Sequence, residues 1–246
     1  MGKKEAFQAE CADRVKSNEK NQELTKSARE FMEASIPSQY SYNFSWMGRP
    51  VIQYPQDIVA MQELIWEVQP DLIIETGIAH GGSLIMYASF MEMMGITDGQ
   101  VIGIDIDIRQ HNRIEIENHP VFHRVTLLEG SSTDESIVRQ VEKLAQGKKR
   151  VMVCLDSMHS HDHVLKELSL YSHLVTKGSY LVVFDTIIED LPDEFYSDRP
   201  WSQKDNPKTA VFEYLKQNDR FEIDTAVQNK LLITVAPSGY LKCVKE

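Results

Sequence analysis

The sequence predicts an α/β fold: a mostly parallel, seven-stranded sheet with an antiparallel C-terminal hairpin and helices on both faces. Three observations predict it. From Gln56 onward, short apolar runs alternate with segments of helical period, the signature of stacked βα units. Runs such as 151–155 (VMVCL) and 181–184 (LVVF) are apolar without alternation, which suits strands covered on both sides in a parallel sheet. The last two strand candidates are joined only by Gln228-Asn229-Lys230, too short for a parallel crossover, so they are expected to pair as a hairpin.

In chain order, residues 1–38 are polar and charged, with apolar positions too sparse to define a strong face. They are expected to form a helical N-terminal arm, either partly mobile or used in a homo-oligomer contact, ahead of one domain over 39–246. The stretch 38–55 carries Tyr40, Tyr42, Phe44, Trp46 and Tyr54, aromatics that are hard to expose, and should wrap over the core or roof a pocket. A helix at 56–68 leads into strand 71–76 (DLIIET), and helix 82–94 into strand 101–106 (VIGIDI). Helix 108–117 precedes strand 124–129 (RVTLLE), helix 134–146 precedes 150–155 (RVMVCL), and helix 160–174 precedes 179–184 (SYLVVF). Helix 207–217 and strands 221–227 and 231–236 complete the pattern.

Composition excludes several classes of function. With 26 Lys+Arg against 37 Asp+Glu the formal charge is −11, and no basic run exceeds Lys148-Lys149-Arg150. Nucleic acid and anionic membranes are therefore poor partners. The start lacks the apolar stretch of a secretory signal, and Ala6 stands where a myristoylation pattern wants Ser or Thr. No apolar run approaches a membrane span, and Cys11, Cys154 and Cys243 have no CxxC spacing. A cytoplasmic protein without membrane insertion is expected.

In an open α/β sheet, ligands sit beyond the carboxyl ends of the strands. The first strand ends in Glu75-Thr76-Gly77-Ile78-Ala79-His80-Gly81-Gly82-Ser83, a glycine-rich turn opening a helix. This E-x-G-x-x-x-G-x-S spacing is neither the dinucleotide G-x-G-x-x-G nor a P-loop. The second strand ends in Asp105, where an acid can accept both hydroxyls of a ribose. The third ends in Gly130-Ser131-Ser132-Thr133-Asp134, a small polar turn able to frame an adenine, with Asp134 as a helix cap. Together they spell a nucleoside site without a pyrophosphate loop.

The fourth strand ends in Asp156-Ser157-Met158-His159-Ser160-His161-Asp162-His163 and the fifth in Asp185-Thr186. Adjacent strand ends let Asp156 and Asp185 share one cation. Two carboxylates with the Thr186 hydroxyl suit Mg²⁺ or Ca²⁺ better than Zn²⁺. His161 and His163 are expected on the exposed start of a helix, whereas His159, three residues after Asp156, can point back to the pocket. The His159 to His163 run is one residue short of the His-x-His-x-Asp-His of metallo-β-lactamase-like hydrolases.

The order of these motifs resembles the class I S-adenosylmethionine-dependent methyltransferases of the metal-dependent catechol O-methyltransferase type. More closely, Phe44-Ser45-Trp46-Met47-Gly48-Arg49-Pro50, Gln53-Tyr54-Pro55-Gln56-Asp57, the Glu75 to Ser83 turn and Asn206-Pro207-Lys208-Thr209-Ala210 resemble the cephalosporin hydroxylase and rhamnosyl O-methyltransferase family. The resemblance implies a Rossmann-like class I methyltransferase domain over 39–246, an O-methyltransferase acting with Mg²⁺ on a hydroxyl of a small molecule or saccharide, either a sugar or a secondary metabolite. It also implies that Glu75, Gly77, Ala79, Gly81 and Ser83 hold the methionine end of S-adenosylmethionine, with Ser83 on its carboxylate. Asp105 would take the ribose, Ser131 and Ser132 the adenine, and Asp156, Asp185 and Thr186 a Mg²⁺ ion. Phe184 and Thr186 depart from the acidic and Asn residues often found there. His159 and Asp156 are the candidate catalytic residues, His159 as general base, with His80 a second candidate. Two other classes compete: a non-catalytic S-adenosylmethionine-binding partner subunit, and a metal-dependent oxygenase using His159, His161 and an acid.

Overall fold

The computed structural model describes residues 2–246. Its seven main strands are β1 (Leu72–Thr76), β2 (Gln100–Asp105), β3 (Val125–Glu129), β4 (Val151–Leu155), β5 (Tyr180–Val183), β6 (Phe221–Ile223) and β7 (Tyr240–Cys243). They lie in the order β3-β2-β1-β4-β5-β7-β6, with β7 antiparallel to both β5 and β6 and the remaining pairs parallel. The chain winds outward from β1 to β3 and then crosses back to β4. The crevice where the winding reverses therefore opens at the carboxyl ends of β1 and β4.

Alternate residues of each strand feed two cores. On one face α3 (Pro55–Val68), α4 (Gly82–Met93) and α5 (Gln110–Glu117) pack on Ile73, Val101 and Met152. On the other, α6 (Glu135–Ala145), α7 (His161–Tyr171) and α8 (Pro207–Gln217) pack on Leu72, Ile74, Ile102 and Val153. Helix α4 is apolar on every side and correspondingly buried from Leu84 to Met91. Fully buried Ile73 and Leu84 each contribute about 1.5–3 kcal/mol by leaving water. Asp134 caps α6 as expected, its carboxylate accepting from Ser136 N at 2.7 Å. Pro207 begins α8 behind the cap Asn206, which accepts from Lys208 N and Thr209 N.

The antiparallel C-terminal pair is present, but its second strand lies at 240–243 and not at 231–236. Strand β6 stops at Ile223 because Asp224 accepts from Ala226 N and starts a helix, α9 (Thr225–Leu231). Residues 231–236 are then drawn away from the sheet by Asp57 of α3, which accepts from Thr234 Oγ1 and Val235 N. Pro237, which has no N–H, follows. The pair is thus joined by a helix and a loop, so its strand positions could not be read from the three-residue gap.

The N-terminal arm forms two helices, α1 (Lys3–Asn18) and α2 (Gln22–Ser35). Helix α1 buries no residue and lies on α9, Asn18 Nδ2 donating to Asn229 O at 3.0 Å. Helix α2 buries Ala28, Met32 and Ser35 and belongs to the packed body. The aromatic stretch covers the core: Tyr40 stacks edge-on with Phe31 and Phe44, and Trp46 packs on Phe90 while donating to Ser89 Oγ at 2.8 Å. Tyr42 alone of these aromatics stands in solvent. Among the described residues no helix is long and apolar enough to cross a membrane, and all three cysteines are free thiols.

Candidate active site

The turn after β1 requires its glycines. Gly77 has φ +80°, and a Cβ there would lie 2.1 Å from Asp156 O. Gly81, at φ +76°, would drive a Cβ to 2.3 Å from Ile116 Cδ1. Asp105 braces the turn from β2, its Oδ2 accepting from Ile78 N at 3.0 Å and Ala79 N at 3.4 Å, its Oδ1 from Asp107 N. A carboxylate has about four lone-pair sites, so with three donors already on it Asp105 retains about one for a ribose hydroxyl.

A second brace escaped the sequence reading. Arg49, 8% exposed, donates to His80 O at 2.7 Å and to Asn112 Oδ1 at 3.0 Å, while Asn112 Nδ2 donates to Ala79 O at 3.1 Å. The planar guanidinium locks three segments at once. Arg49 stands in the Met47-Gly48-Arg49-Pro50 motif, but nothing local in that motif points to a carbonyl 31 residues on. The His80 ring lies 3.3 Å from Asn112 Oδ1 and belongs to the same scaffold.

Glu75 is fully buried, and accepts from Ser83 Oγ at 2.6 Å and Tyr87 OH at 3.2 Å. Burial pushes its carboxyl up to about 8, and these two hydrogen bonds only partly offset that. The Ser83 hydroxyl thereby spends its hydrogen on Glu75, so its expected donation to a cofactor carboxylate is not available in this arrangement. Backbone N–H groups at the start of α4 remain for an anion.

At the end of β3, Ser131 Oγ accepts from Thr133 N and lies 3.1 Å from Thr133 Oγ1. Ser132 is buried and turns its hydroxyl inward, 3.3 Å from His163 Nε2. That nitrogen is also 3.1 Å from Ser157 Oγ and 3.4 Å from the fully buried Glu167, to which Ser157 donates at 2.7 Å. His163 is therefore not the solvated helix residue expected. Nor is His161, whose Nδ1 lies 2.7 Å from Thr209 Oγ1 and whose Nε2 lies 3.3 Å from Glu213. Both face neighbouring elements, because α7 packs against α8 and under the β3 turn.

Asp156, His159 and Asp185 each bring one ligand atom within 4.8 Å of the others. Asp156 N donates to Thr76 O, fixing the chain beside β1, and Asp185 adopts a left-handed φ of +54° just after β5. His159 Nε2 lies 3.5 Å from Asp185 Oδ2, and the ring meets Trp201 edge to face at 4.7 Å. Burial, then the neighbouring Asp185 and Glu75, hold the Asp156 carboxyl well above the usual range. Two crowded carboxylates are a pair that a divalent cation relieves, and the His159 imidazole stands beside them. Thr186 does not join them: it is fully buried, and its hydroxyl donates to Pro237 O at 2.8 Å. The triad of an oxygenase does not form either, since both ring nitrogens of His161 are engaged elsewhere.

A family model described as Rhamnosyl O-methyltransferase/CmcI matches residues 38–244. The Rhamnosyl O-methyltransferase of Mycobacterium tuberculosis (strain ATCC 25618 / H37Rv) is 31% identical over 202 residues, covering 80% of this chain and 77% of that protein. That of Mycobacterium leprae (strain TN) is 29% identical, covering 80% and 82%. A solved Mg-SAM structure of cmcI superposes with a TM-score of 0.58 at 24% identity, over 83% of this chain and 78% of that one. The O-methyltransferase TomG from Streptomyces achromogenes, solved with SAM, gives 0.50 at 17% identity over 92% and 91%. These two structures share the fold.

Proposed function

We propose that this chain, a member of the Rhamnosyl O-methyltransferase/CmcI family, is an S-adenosylmethionine-dependent O-methyltransferase assisted by Mg²⁺ and acting on a hydroxyl of a sugar or secondary metabolite. The observation that carries this reading is the meeting of Asp156, His159 and Asp185 at the strand ends beside the Glu75 to Ser83 turn. The solved cmcI structure holds Mg-SAM, the same pair of ligands this donor set and turn suit.

When bound, S-adenosylmethionine supplies an electrophilic methyl group and Mg²⁺ acidifies a hydroxyl and holds oxygens beside it. Asp156 and Asp185 would hold the cation, and Glu75, Gly77, Ala79, Gly81, Asp105, Ser131 and Ser132 the cofactor. His159 takes the hydroxyl proton at the ring nitrogen turned away from Asp185, and Asp185, 3.5 Å from Nε2, stabilises the resulting imidazolium. Trp201 limits the swing of that ring and excludes water from one side. Asp105 and Arg49 keep the turn in one shape, so a methyl donor held there would be positioned without reorganising the backbone.

Calorimetric titration of S-adenosylmethionine and S-adenosylhomocysteine, with and without Mg²⁺, tests the reading. Micromolar binding that Asp105→Ala abolishes is expected, followed by methyl transfer to a screened sugar that His159→Ala slows by about 10²–10⁴-fold. Absence of binding under both conditions would sink it.

A further inference from the structure

The Gln53-Tyr54-Pro55-Gln56-Asp57 segment takes no part in the chemistry above, yet the fold fastens it along its length. Tyr54 OH lies 2.7 Å from Ser35 Oγ of α2, and Pro55 starts α3. Asp57, fully buried, accepts from Thr234 Oγ1 at 2.5 Å, Val235 N at 3.1 Å and Tyr240 OH at 2.8 Å. This anchoring sets Gln53, only 5% exposed, against the end of β4, where its Nε2 donates to Asp156 Oδ2 at 3.4 Å.

The other amide atom, Gln53 Oε1, is buried and meets no donor among the described residues. Donation by Nε2 is the orientation that suits Asp156 once it carries the charge a cation ligand needs, because turning the amide over would set two acceptor oxygens against each other. An unpartnered buried oxygen costs stability. A residue that tolerates this cost while touching a candidate cation ligand matches the outer hydrogen-bond partners that orient metal-binding carboxylates. Resting on the cation reading above, we propose that Gln53 is a positioning residue: its amide holds Asp156 facing Asp185 and His159, and so tightens divalent-cation binding.

Gln53→Met keeps the length and removes both the donor and the orphaned oxygen. Mn²⁺ titrated into the full chain, with free Mn²⁺ read by electron paramagnetic resonance, should show a dissociation constant raised by about 10–100-fold. S-adenosylhomocysteine binding should be unchanged, and the metal-free melting temperature equal to or above that of the parent. Gln53→Asn, whose amide is one methylene too short, should lose Mn²⁺ affinity likewise. Unaltered Mn²⁺ affinity in Gln53→Met overturns the inference. Joint loss of Mn²⁺ affinity, S-adenosylhomocysteine binding and thermal stability overturns it too, because that marks a packing role. A parent chain that binds S-adenosylhomocysteine but no Mn²⁺ defeats the cation reading itself.

Discussion

Replacing Glu75 with glutamine removes a charge that the core has no cation to balance. Glu75 is fully buried with only the hydroxyls of Ser83 and Tyr87 as donors, and its carboxyl is raised from 4.5 to about 8. Because the folded state holds this proton more tightly than the unfolded one, the group's contribution to stability is complete below pH 4.5. It is lost as pH rises toward about 8. At about 1.36 kcal/mol per pH unit, the whole window is worth roughly 5 kcal/mol. For a chain of this length that corresponds to about 10–20 °C in melting temperature. A glutamine amide at this position cannot ionise, and the hydroxyls of Ser83 and Tyr87 can rotate to meet it. Thermal melts of ligand-free parent and Glu75→Gln should therefore nearly coincide at pH 5 and separate progressively to pH 9, the variant being the more stable. The same linkage reaches the ligand on the proposal that Glu75 holds the methionine end of S-adenosylhomocysteine through its ionised carboxylate. Affinity of the parent should rise by up to about tenfold per pH unit below pH 8, and be pH-independent in the variant. Parallel melting curves from pH 5 to 9 would refute the reasoning, because they would mean that Glu75 titrates alike in the folded and unfolded chain.

Gly77→Ala places a Cβ 2.1 Å from Asp156 O in a left-handed backbone, so a loss of at least about 1–3 kcal/mol in chemical denaturation and of S-adenosylhomocysteine binding is expected; ordinary binding in calorimetry would contradict the geometry. Thr186→Val should cost about 1 kcal/mol through the Pro237 hydrogen bond yet leave Mn²⁺ affinity unchanged, and weakened Mn²⁺ binding would return the hydroxyl to the cation site. Asp57→Asn leaves one of three buried donors without an acceptor and should lower stability by about 1–3 kcal/mol at pH 4 in urea titrations, the deficit shrinking toward pH 7. Asp57 itself is raised from 3.8 to about 6 by burial, so its own contribution is lost as pH rises from about 4 to about 6, and the variant should lack that slope.

Strand ends were legible because chemistry and local pattern coincide there. Asp105, Asp156 and Asp185 each follow an apolar run, and a parallel sheet delivers such residues to one edge whatever the loops do. Gly77 and Gly81 were legible for a similar reason, since a strand-to-helix turn at positive φ selects glycine. The C-terminal strands were not, because 231–236 has the composition of a strand and loses that role only to Asp57, some 177 residues earlier. Thr186 looked like a ligand from its neighbour Asp185, but a side chain's direction depends on which carbonyl lies behind it, here Pro237 O.

What the sequence determined by itself follows from period and local backbone demand: the βα order, the parallel sheet, the glycine turn and the acids at the strand ends. The tertiary structure alone decided which of those polar residues face the crevice and which face one another. Arg49 on the glycine turn, His161 on Thr209, His163 on Glu167, Thr186 on Pro237 and Gln53 on Asp156 all join segments far apart in the chain or set a side chain's direction. A hydrogen bond is specified within a few tenths of an ångström, whereas sequence periodicity fixes only the face on which a residue lies.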